Sequence, residues 1–330
     1  MNSTDPAAFA PTAANWPALR TDIVRRLESV MGPFPARNAT PRQPPEFVVE
    51  SETDHGTHVM RRISYAAEPG SRTPAYLCLP KAALHNDTRS FPAVLCLHPT
   101  NFEIGAGVVV GLGGRANRQY AAELAARGYV TLAPNYPLLA DYAPDLAGLG
   151  YVSGTMKAVR DNVRGLDLLA ALPCVRAEKF GAIGHSLGGH NALFTAVFEP
   201  RLAAVVSSCG LDSFRDYMGG DPAVWQPGAG WCSERYMPRL AAYAGRLHDI
   251  LFDFHEILAA LAPRPVLISA PLKDDNFQWR SVDRVVAAAQ RAYDLHGATD
   301  RLRVIHPDCD HDFPAEAREE AYRLFDAVLN

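Results

Sequence analysis

The first candidate for chemistry is a serine that stands among glycines. Ser186 lies in the run Gly-His-Ser-Leu-Gly-Gly, after the apolar residues 180–183 and before the helix-like residues 190–198. A serine hydroxyl becomes a strong nucleophile only where it stands clear of the backbone beside a base, and a sharp turn from strand to helix achieves this if its neighbours lack bulk. Gly184 and Gly188 leave that room. The pattern predicts a nucleophilic serine for acyl transfer.

An acid and a histidine follow this serine along the chain. Residues 265–270 read as a buried strand with Asp274 in the loop behind it, and residues 302–305 read as the last strand with His311 in the loop behind that. Loops at the carboxyl ends of parallel strands share one edge of a sheet, so we expect these side chains to meet Ser186. His311 would take the serine proton and return it to the leaving group, while an aspartate orients its ring. The alternative for His311 is a surface histidine without a role.

Three short motifs together resemble the α/β-hydrolase superfamily. They are Gly-His-Ser-Leu-Gly-Gly, the Asp-Asp-Asn after a late strand, and Asp-His-Asp-Phe near the end of the chain. The likeness runs from about residue 47 to the C-terminus and is greatest to the branch of dienelactone hydrolases, acetyl-xylan-type esterases and prolyl oligopeptidase catalytic domains. In oligopeptidase-like members the first aspartate of such a pair is the triad acid. The resemblance therefore implies Asp274, with Asp275 as the rival.

Acyl transfer also needs hydrogen-bond donors for the oxyanion, each of which lowers the barrier by about 3 kcal/mol. The backbone N–H of Leu187, directly after the nucleophile, is predicted to be one of them. The other is expected in the loop after an early strand. Pro99 in that loop has no N–H, so Thr100 is predicted, with Asn101 as the second choice. His98 is predicted to brace this loop rather than touch substrate.

The elements that must position these groups alternate along the chain. Residues 1–45 are predicted to form an N-terminal arm, with an amphipathic helix over 17–31 and an irregular connector over 33–45. Residues 46–330 are predicted to form the catalytic domain. It opens with antiparallel strands, and strands and helices then alternate, which predicts an α/β fold: a mostly parallel sheet with helices on both faces.

Residues 211–260 do not fit this alternation and are predicted to form a partial lid over the catalytic edge. They carry Tyr217, Trp225, Trp231 and Tyr236 among glycines and prolines. These rings would line an acyl or sugar pocket or form a small core of the lid itself. The residues predicted to bind substrate are Asn101, Tyr136, His185 and Trp231.

Two acidic clusters are assigned no chemistry. Alternate acids flank His311, but without a glutamate anchor their spacing is a weak signal for a cation, so no metal site is predicted. Asp161 and Asp167 share a helical stretch with arginines and are expected on its solvated or paired face.

Composition narrows the class of protein. The 330 residues are 48% hydrophobic and 21% charged, with a net charge of -4 and no long basic run, which argues against a nucleic-acid partner. There is no apolar stretch of about 18 residues, so no membrane partner is expected. The first residues lack signal-peptide features, and the six cysteines show no C-x-x-C spacing. A cytoplasmic location is expected, and self-association is left open.

The sequence thus predicts a serine hydrolase that acts on a small-molecule carboxylic ester through an acyl-enzyme, with no cofactor. A peptidase or amidase is the first alternative, because the same fold and triad cleave amides. A non-hydrolytic acyltransferase or a binding protein on this fold is the second. The substrate itself, whether a small acyl ester, a sugar ester, an aromatic ester or a lactone, is not specified by these motifs.

Overall fold

A nine-stranded sheet forms the centre of the molecule. The computed structural model describes residues 5–35, 43–85, 87–88 and 90–330. The strands are β1 Phe47–Asp54, β2 His58–Glu68, β3 Ser71–Pro80, β4 Ala93–Leu97, β5 Val130–Pro134, β6 Phe180–His185, β7 Leu202–Ser208, β8 Val266–Ser269 and β9 Leu302–Ile305.

The sheet is antiparallel at one end and parallel over the rest. Its order is β1-β2-β3-β5-β4-β6-β7-β8-β9. Strands β1, β2, β3 and β5 pair in antiparallel fashion, and all pairings from β5 to β9 are parallel. The predicted α/β fold with a mostly parallel sheet is confirmed. The carboxyl ends of β4, β6, β7, β8 and β9 therefore meet at one edge.

Helices cover both faces of the sheet. They are α1 Trp16–Met31, α2 Tyr120–Ala126, α3 Gly154–Ala171, α4 Leu187–Phe198, α5 Phe254–Ala260, α6 Trp279–Leu295 and α7 Ala315–Leu329. Strand β4 shows the two faces clearly, because Leu95 and Leu97 join one apolar cluster with α1, α3, α4, α5 and α6. Val94 and Cys96 join another with α2 and α7. Alternate strand residues point to opposite faces, so each face has its own core.

The N-terminal helix packs directly onto the body of the protein. Ile23 and Leu27 of α1 are fully buried in the larger core. Arg26 forms a buried ion pair with Glu256 at the start of α5, with Nη2 and Oε1 2.6 Å apart. Residues 1–4 and 36–42 of the predicted arm and connector lie outside the described residues, and the division at residue 45 stays a prediction. No described helix combines the length and apolar character needed to cross a bilayer.

Two helices show local features that depend on single residues. Helix α2 begins only at Tyr120, because Asn117 adopts a φ of 62°, outside the helical region. Asp161, expected on a solvated or paired face of α3, is paired, although its side chain is buried. It accepts a hydrogen bond from the buried ammonium of Lys157, which also lies 3.3 Å from Glu68. A buried carboxylate needs such a partner, since desolvation opposes its charge.

Candidate active site

The nucleophile candidate lies between β6 and α4. Strand β6 ends at His185, helix α4 begins at Leu187, and Ser186 between them has φ 55° and ψ −120°. Such a φ is unfavourable for a residue with a side chain. The Ser186 N–H donates to the Ser208 carbonyl at the end of β7 over 2.7 Å, which helps hold this conformation. The predicted strand–turn–helix arrangement is therefore present.

Close backbone contact explains the glycine at position 188. A Cβ atom there would lie 1.9 Å from the carbonyl oxygen of Leu97 at the end of β4. No atom of a flexible side chain is involved, so the backbone itself would have to move. The turn between β6 and α4, called the elbow below, is thus packed against the end of β4, and this contact fixes the position of Ser186.

Gly188→Ala is expected to lower the free energy of unfolding by about 3 kcal/mol, because the new methyl group overlaps the Leu97 carbonyl. Gly107→Ala is the matched control, since the nearest atom to its Cβ is that of Ile104 at an ordinary 3.4 Å. Urea unfolding followed by circular dichroism compares the two with wild type. Equal midpoints for Gly188→Ala and Gly107→Ala would contradict the packing argument.

The base and acid candidates are joined directly. His311 Nδ1 lies 2.9 Å from both Asp274 carboxylate oxygens. Burial alone would raise the pKa of Asp274, but the hydrogen bond and charge of His311, with the backbone N–H groups of Phe277 and Asn276, lower it. An ionised carboxylate can only accept hydrogen bonds, so His311 carries its proton on Nδ1. The other ring nitrogen, Nε2, is left to act as the base.

The structure separates the two neighbouring aspartates. Asp274 has a side chain that is 1% exposed and faces His311. Asp275 is exposed, and among the hydrogen bonds of the described chain it forms none with His311. Asp274 is therefore the acid that the geometry offers to the histidine.

The loop that carries His311 is held by an ion pair. Arg118 binds the carboxylate of Asp312 and also donates to the His311 carbonyl over 3.1 Å. Asn117 donates to the same carboxylate over 2.7 Å. This local role explains one of the acidic residues around the histidine without invoking a cation.

His185 contacts the ring of His311 and is not among the described residues that line the cavity. Its ring is buried, and its centroid is 4.8 Å from that of His311. Its Nδ1 pairs with the Ser208 hydroxyl over 3.0 Å. Burial and the nearby charges of Arg118 and His311 lower the pKa of His185 well below its usual value. A neutral ring there can pack against His311 without repelling a proton on it.

The two predicted oxyanion donors lie on the same cavity as the serine. Leu187 and Thr100 both line it together with Ser186. In the part of the chain that the structure describes, neither of their backbone N–H groups has a hydrogen-bond acceptor. Two free N–H groups beside a nucleophilic serine are what an oxyanion requires. Their role stays a prediction.

The cavity beside Ser186 has a volume of about 220 Å³. Its wall comes from the loop after β4, the elbow, the predicted lid and the loop after β8. Its aromatic lining residues are Tyr217, Trp231, Tyr236 and Phe277. Trp231 thus lies where a substrate contact was expected. Trp225 instead packs against Phe214 and belongs to the main core, rather than to a separate core of the lid.

Two predicted substrate contacts have other partners. The side-chain oxygen of Asn101 accepts the backbone N–H groups of residues 103 and 104, which closes a local turn. The Tyr136 hydroxyl is buried and donates to the Arg235 carbonyl. Neither Asn101 nor Tyr136 is among the residues that line the cavity. His98 Nε2 accepts a hydrogen bond from the Tyr136 N–H over 2.9 Å, which ties the loop after β4 to the segment after β5.

Sequence reasoning overlooked several lining residues, chiefly Ser233, Arg235 and Phe277. Phe277 follows the acid by three residues and contacts the His311 ring, with centroids 6.0 Å apart. An aromatic residue close behind a catalytic acid was an available signal. Ser233 and Arg235 lie in a loop without periodic pattern, and nothing in the sequence distinguished them.

One group of described residues has the spacing of metal ligands: Cys209, Asp274 and His311, whose ligand atoms lie within 4.8 Å of one another. Asp274 and His311 already bind each other. Burial raises the pKa of the Cys209 thiol well above its usual value, and only the thiolate is a good ligand. The donor set therefore fits a hydrogen-bonded acid–base pair better than a metal ion.

Comparison with known proteins gives consistent matches. A family model described as glucuronyl esterase of fungi matches residues 161–297, a stretch that holds Ser186 and Asp274 but not His311. The Bacillus subtilis (strain 168) protein YtaP is 25% identical over 281 residues, which are 78% of this chain and 84% of that protein. 4-O-methyl-glucuronoyl methylesterase 1 of Wolfiporia cocos is 27% identical over 56% of this chain and 48% of its own.

Solved structures share the whole fold. A glucuronoyl esterase from Solibacter usitatus superposes with a TM-score of 0.76 at 18% identity, covering 96% of this chain and 94% of its own. A glucuronoyl esterase from Teredinibacter turnerae T7901 gives 0.72 at 19% identity, with 96% and 86% covered. At these identities the likeness establishes the architecture alone.

Proposed function

We propose that this chain, a serine hydrolase of carboxylic esters with the α/β-hydrolase fold, cleaves its substrates through an acyl-enzyme formed on Ser186. The observation that carries the proposal is the bond between His311 Nδ1 and Asp274 at the edge where the elbow presents its serine. A triad is recognised by such roles and geometry rather than by sequence position.

The mechanism follows from the proton positions. Asp274 holds the Nδ1 proton of His311, so Nε2 is free to accept the serine proton as Ser186 attacks the ester carbonyl. The N–H groups of Leu187 and Thr100 would stabilise the oxyanion. His311 then gives the proton to the departing alcohol, and water, activated by the same ring, releases the acid. In this second step the water gives one proton to Nε2 of His311, which passes it to Ser186 as the bond between the serine and the acyl group breaks, so the enzyme returns to its starting state.

The substrate is proposed to have a short acyl group. The cavity of about 220 Å³ is smaller than the roughly 300–1,000 Å³ of pockets for drug-sized ligands. Its aromatic wall suits a compact acyl group or one sugar ring. The relatives named for glucuronoyl esters make an ester of a uronic acid a specific candidate. A cytoplasmic location stays a prediction, with which six free cysteines are compatible.

A series of p-nitrophenyl esters from acetate to octanoate tests this proposal, with methyl glucuronate assayed beside it. We expect kcat/KM to be highest at two to four carbons and to fall by about tenfold or more at octanoate, because the longer chain exceeds the cavity. The Ser186→Ala protein provides the blank. Absence of serine-dependent turnover on all of these esters would overturn the proposal, and a rise with chain length would overturn the assignment of the cavity.

A further inference from the structure

The catalytic cavity holds a cation without a counterion. Arg235 is the one Lys or Arg among the described residues that line it. No carboxylate of the described chain forms an ion pair with its guanidinium, whereas Arg118, behind His311, is paired with Asp312. A cation held without an acidic partner beside a nucleophile is available to a ligand.

The backbone at this position is fixed by hydrogen bonds. The Arg235 carbonyl accepts from the Tyr136 hydroxyl over 2.9 Å. The carbonyl of residue 234 accepts the Gly154 N–H over 2.8 Å, and that of Tyr236 accepts the Thr155 N–H over 3.3 Å. Three consecutive carbonyls are thus anchored to the start of α3 and the end of β5. The arginine extends from a rigid support rather than from a free loop.

The side chain is also positioned. Its guanidinium carbon lies 4.8 Å from the ring centroid of Phe102 and 5.7 Å from that of Tyr236. Phe102 is 65% exposed, an unusual position for a phenylalanine unless it supports something. Stacking on aromatic faces orients a guanidinium and leaves its edge free to bind a carboxylate through two parallel bonds.

Three polar groups of the cavity wall lack partners. Arg235 Nε, Trp231 Nε1 and Ser233 Oγ are buried, and none has a hydrogen-bond partner in the described structure. All three residues line the cavity. Arg235 Nε and Trp231 Nε1 can only donate, and the serine hydroxyl can donate as well. Since all three atoms are closed to solvent, the donors that a ligand in the cavity can reach are the terminal Nη groups of Arg235, which are not among these buried atoms.

We propose that Arg235 determines specificity by binding, through the accessible edge of its guanidinium, a carboxylate carried by the ester substrate. The proposal rests on the proposed esterase function and adds a charge requirement to it. The scissile ester group is neutral, so the carboxylate is a second group of the substrate. It belongs either to the acyl part or to the alcohol part.

Two pairs of substrates test the proposal, each pair matched in size and differing in charge. p-Nitrophenyl hemisuccinate and p-nitrophenyl levulinate place the charge on the acyl part, and 4-acetoxybenzoate and 4-acetoxybenzamide place it on the leaving group. Wild type is compared with Arg235→Gln and with the control Arg239→Gln, an exposed arginine whose bond is to the Ser29 carbonyl. Ser186→Ala corrects for spontaneous hydrolysis.

We expect wild type and Arg239→Gln to prefer the charged member of one pair by about tenfold or more in kcat/KM, and Arg235→Gln to lose that preference. Rates on the neutral members should change less than about threefold. The pair that shows the preference identifies which part of the substrate carries the carboxylate.

The other results overturn the inference. Equal loss on charged and neutral substrates in Arg235→Gln would mean that the residue only supports the loop. Serine-dependent turnover without any charge preference in wild type would refute carboxylate binding while leaving the esterase function in place. Absence of serine-dependent turnover on all four substrates, and on the p-nitrophenyl series, would remove the esterase function and this inference with it.

Discussion

Ser186→Ala is expected to lower kcat on any substrate of the wild-type protein by about 10⁴-fold or more, because the substitution removes the hydroxyl on which the acyl-enzyme is proposed to form. Binding should change little, since the hydroxyl contributes one small group to the wall of the cavity. Steady-state kinetics with the p-nitrophenyl ester that wild type cleaves fastest measure the loss of kcat. Urea unfolding should show stability within about 1 kcal/mol of wild type, as the substitution removes a single half-buried oxygen.

Residual activity above a few per cent of wild type would refute Ser186 as the nucleophile. Ser233→Ala is the control, because this serine lines the same cavity but its hydroxyl has no hydrogen-bond partner among the described residues. That protein should keep its acyl-enzyme chemistry, visible as labelling by a fluorophosphonate. Ser186→Ala should not be labelled at all.

Asp274→Asn is expected to lower kcat by about 10³–10⁴-fold, since an amide in place of the carboxylate favours the wrong tautomer of His311. The carboxylate accepts a hydrogen bond from His311 Nδ1, with the nitrogen and oxygen 2.9 Å apart. It also accepts hydrogen bonds from the backbone N–H groups of residues 276 and 277. An asparagine oxygen can retain the backbone contacts, so the fold should persist. Steady-state kinetics with the same ester measures the loss.

Asp275→Asn is the matched control, a neighbouring exposed aspartate with the same chemistry. Its activity should stay within about twofold of wild type, as expected for a surface substitution away from the site. The reverse ranking of Asp274 and Asp275 would assign the acid to the second residue of the pair. Equal small losses would show that the histidine works without an acid.

The sequence was sufficient for the parts of the site that depend on local pattern and chain order. The run around Ser186 predicts a sharp turn because Gly184 and Gly188 lie two positions before and after it in the sequence. The positions of Asp274 and His311 follow from parallel strands, whose carboxyl ends share an edge. The structure places Asp274 against His311 with good hydrogen-bond geometry. The sheet itself was predictable for the same reason, because apolar strands alternate with amphipathic helices.

What the sequence did not reveal depends on contacts between distant residues. Nothing near Asp312 indicates that Arg118, almost two hundred positions earlier, would bind it. Asn101 was assigned to substrate, but its oxygen serves a turn over the next three residues, a local alternative that asparagine often adopts. His185 is the last residue of β6, and its side chain is buried, so it packs against the ring of His311 instead of facing the cavity.

The position of Arg235 also depends on contacts between residues that are distant in sequence. A single arginine in an irregular loop is usually solvated. Its position at the cavity depends on the pairing of its backbone with Tyr136 and the start of α3. These hydrogen bonds join segments about eighty to a hundred residues apart, so the hydrophobic periodicity of the sequence does not predict them.

Residues 211–260, which contribute to the wall of the cavity, are anchored in the core and are not built to open and close. Trp225, Phe214 and Phe252 from this segment are almost fully buried and belong to the main core. Each aromatic side chain buries roughly 150–250 Å², and lifting the segment would return that apolar area to water at about 25 cal/mol per Å². We therefore expect the size of the substrate to be limited by a fixed cavity wall. A change in specificity would come from replacing single residues of the wall, without any altered motion of the loop.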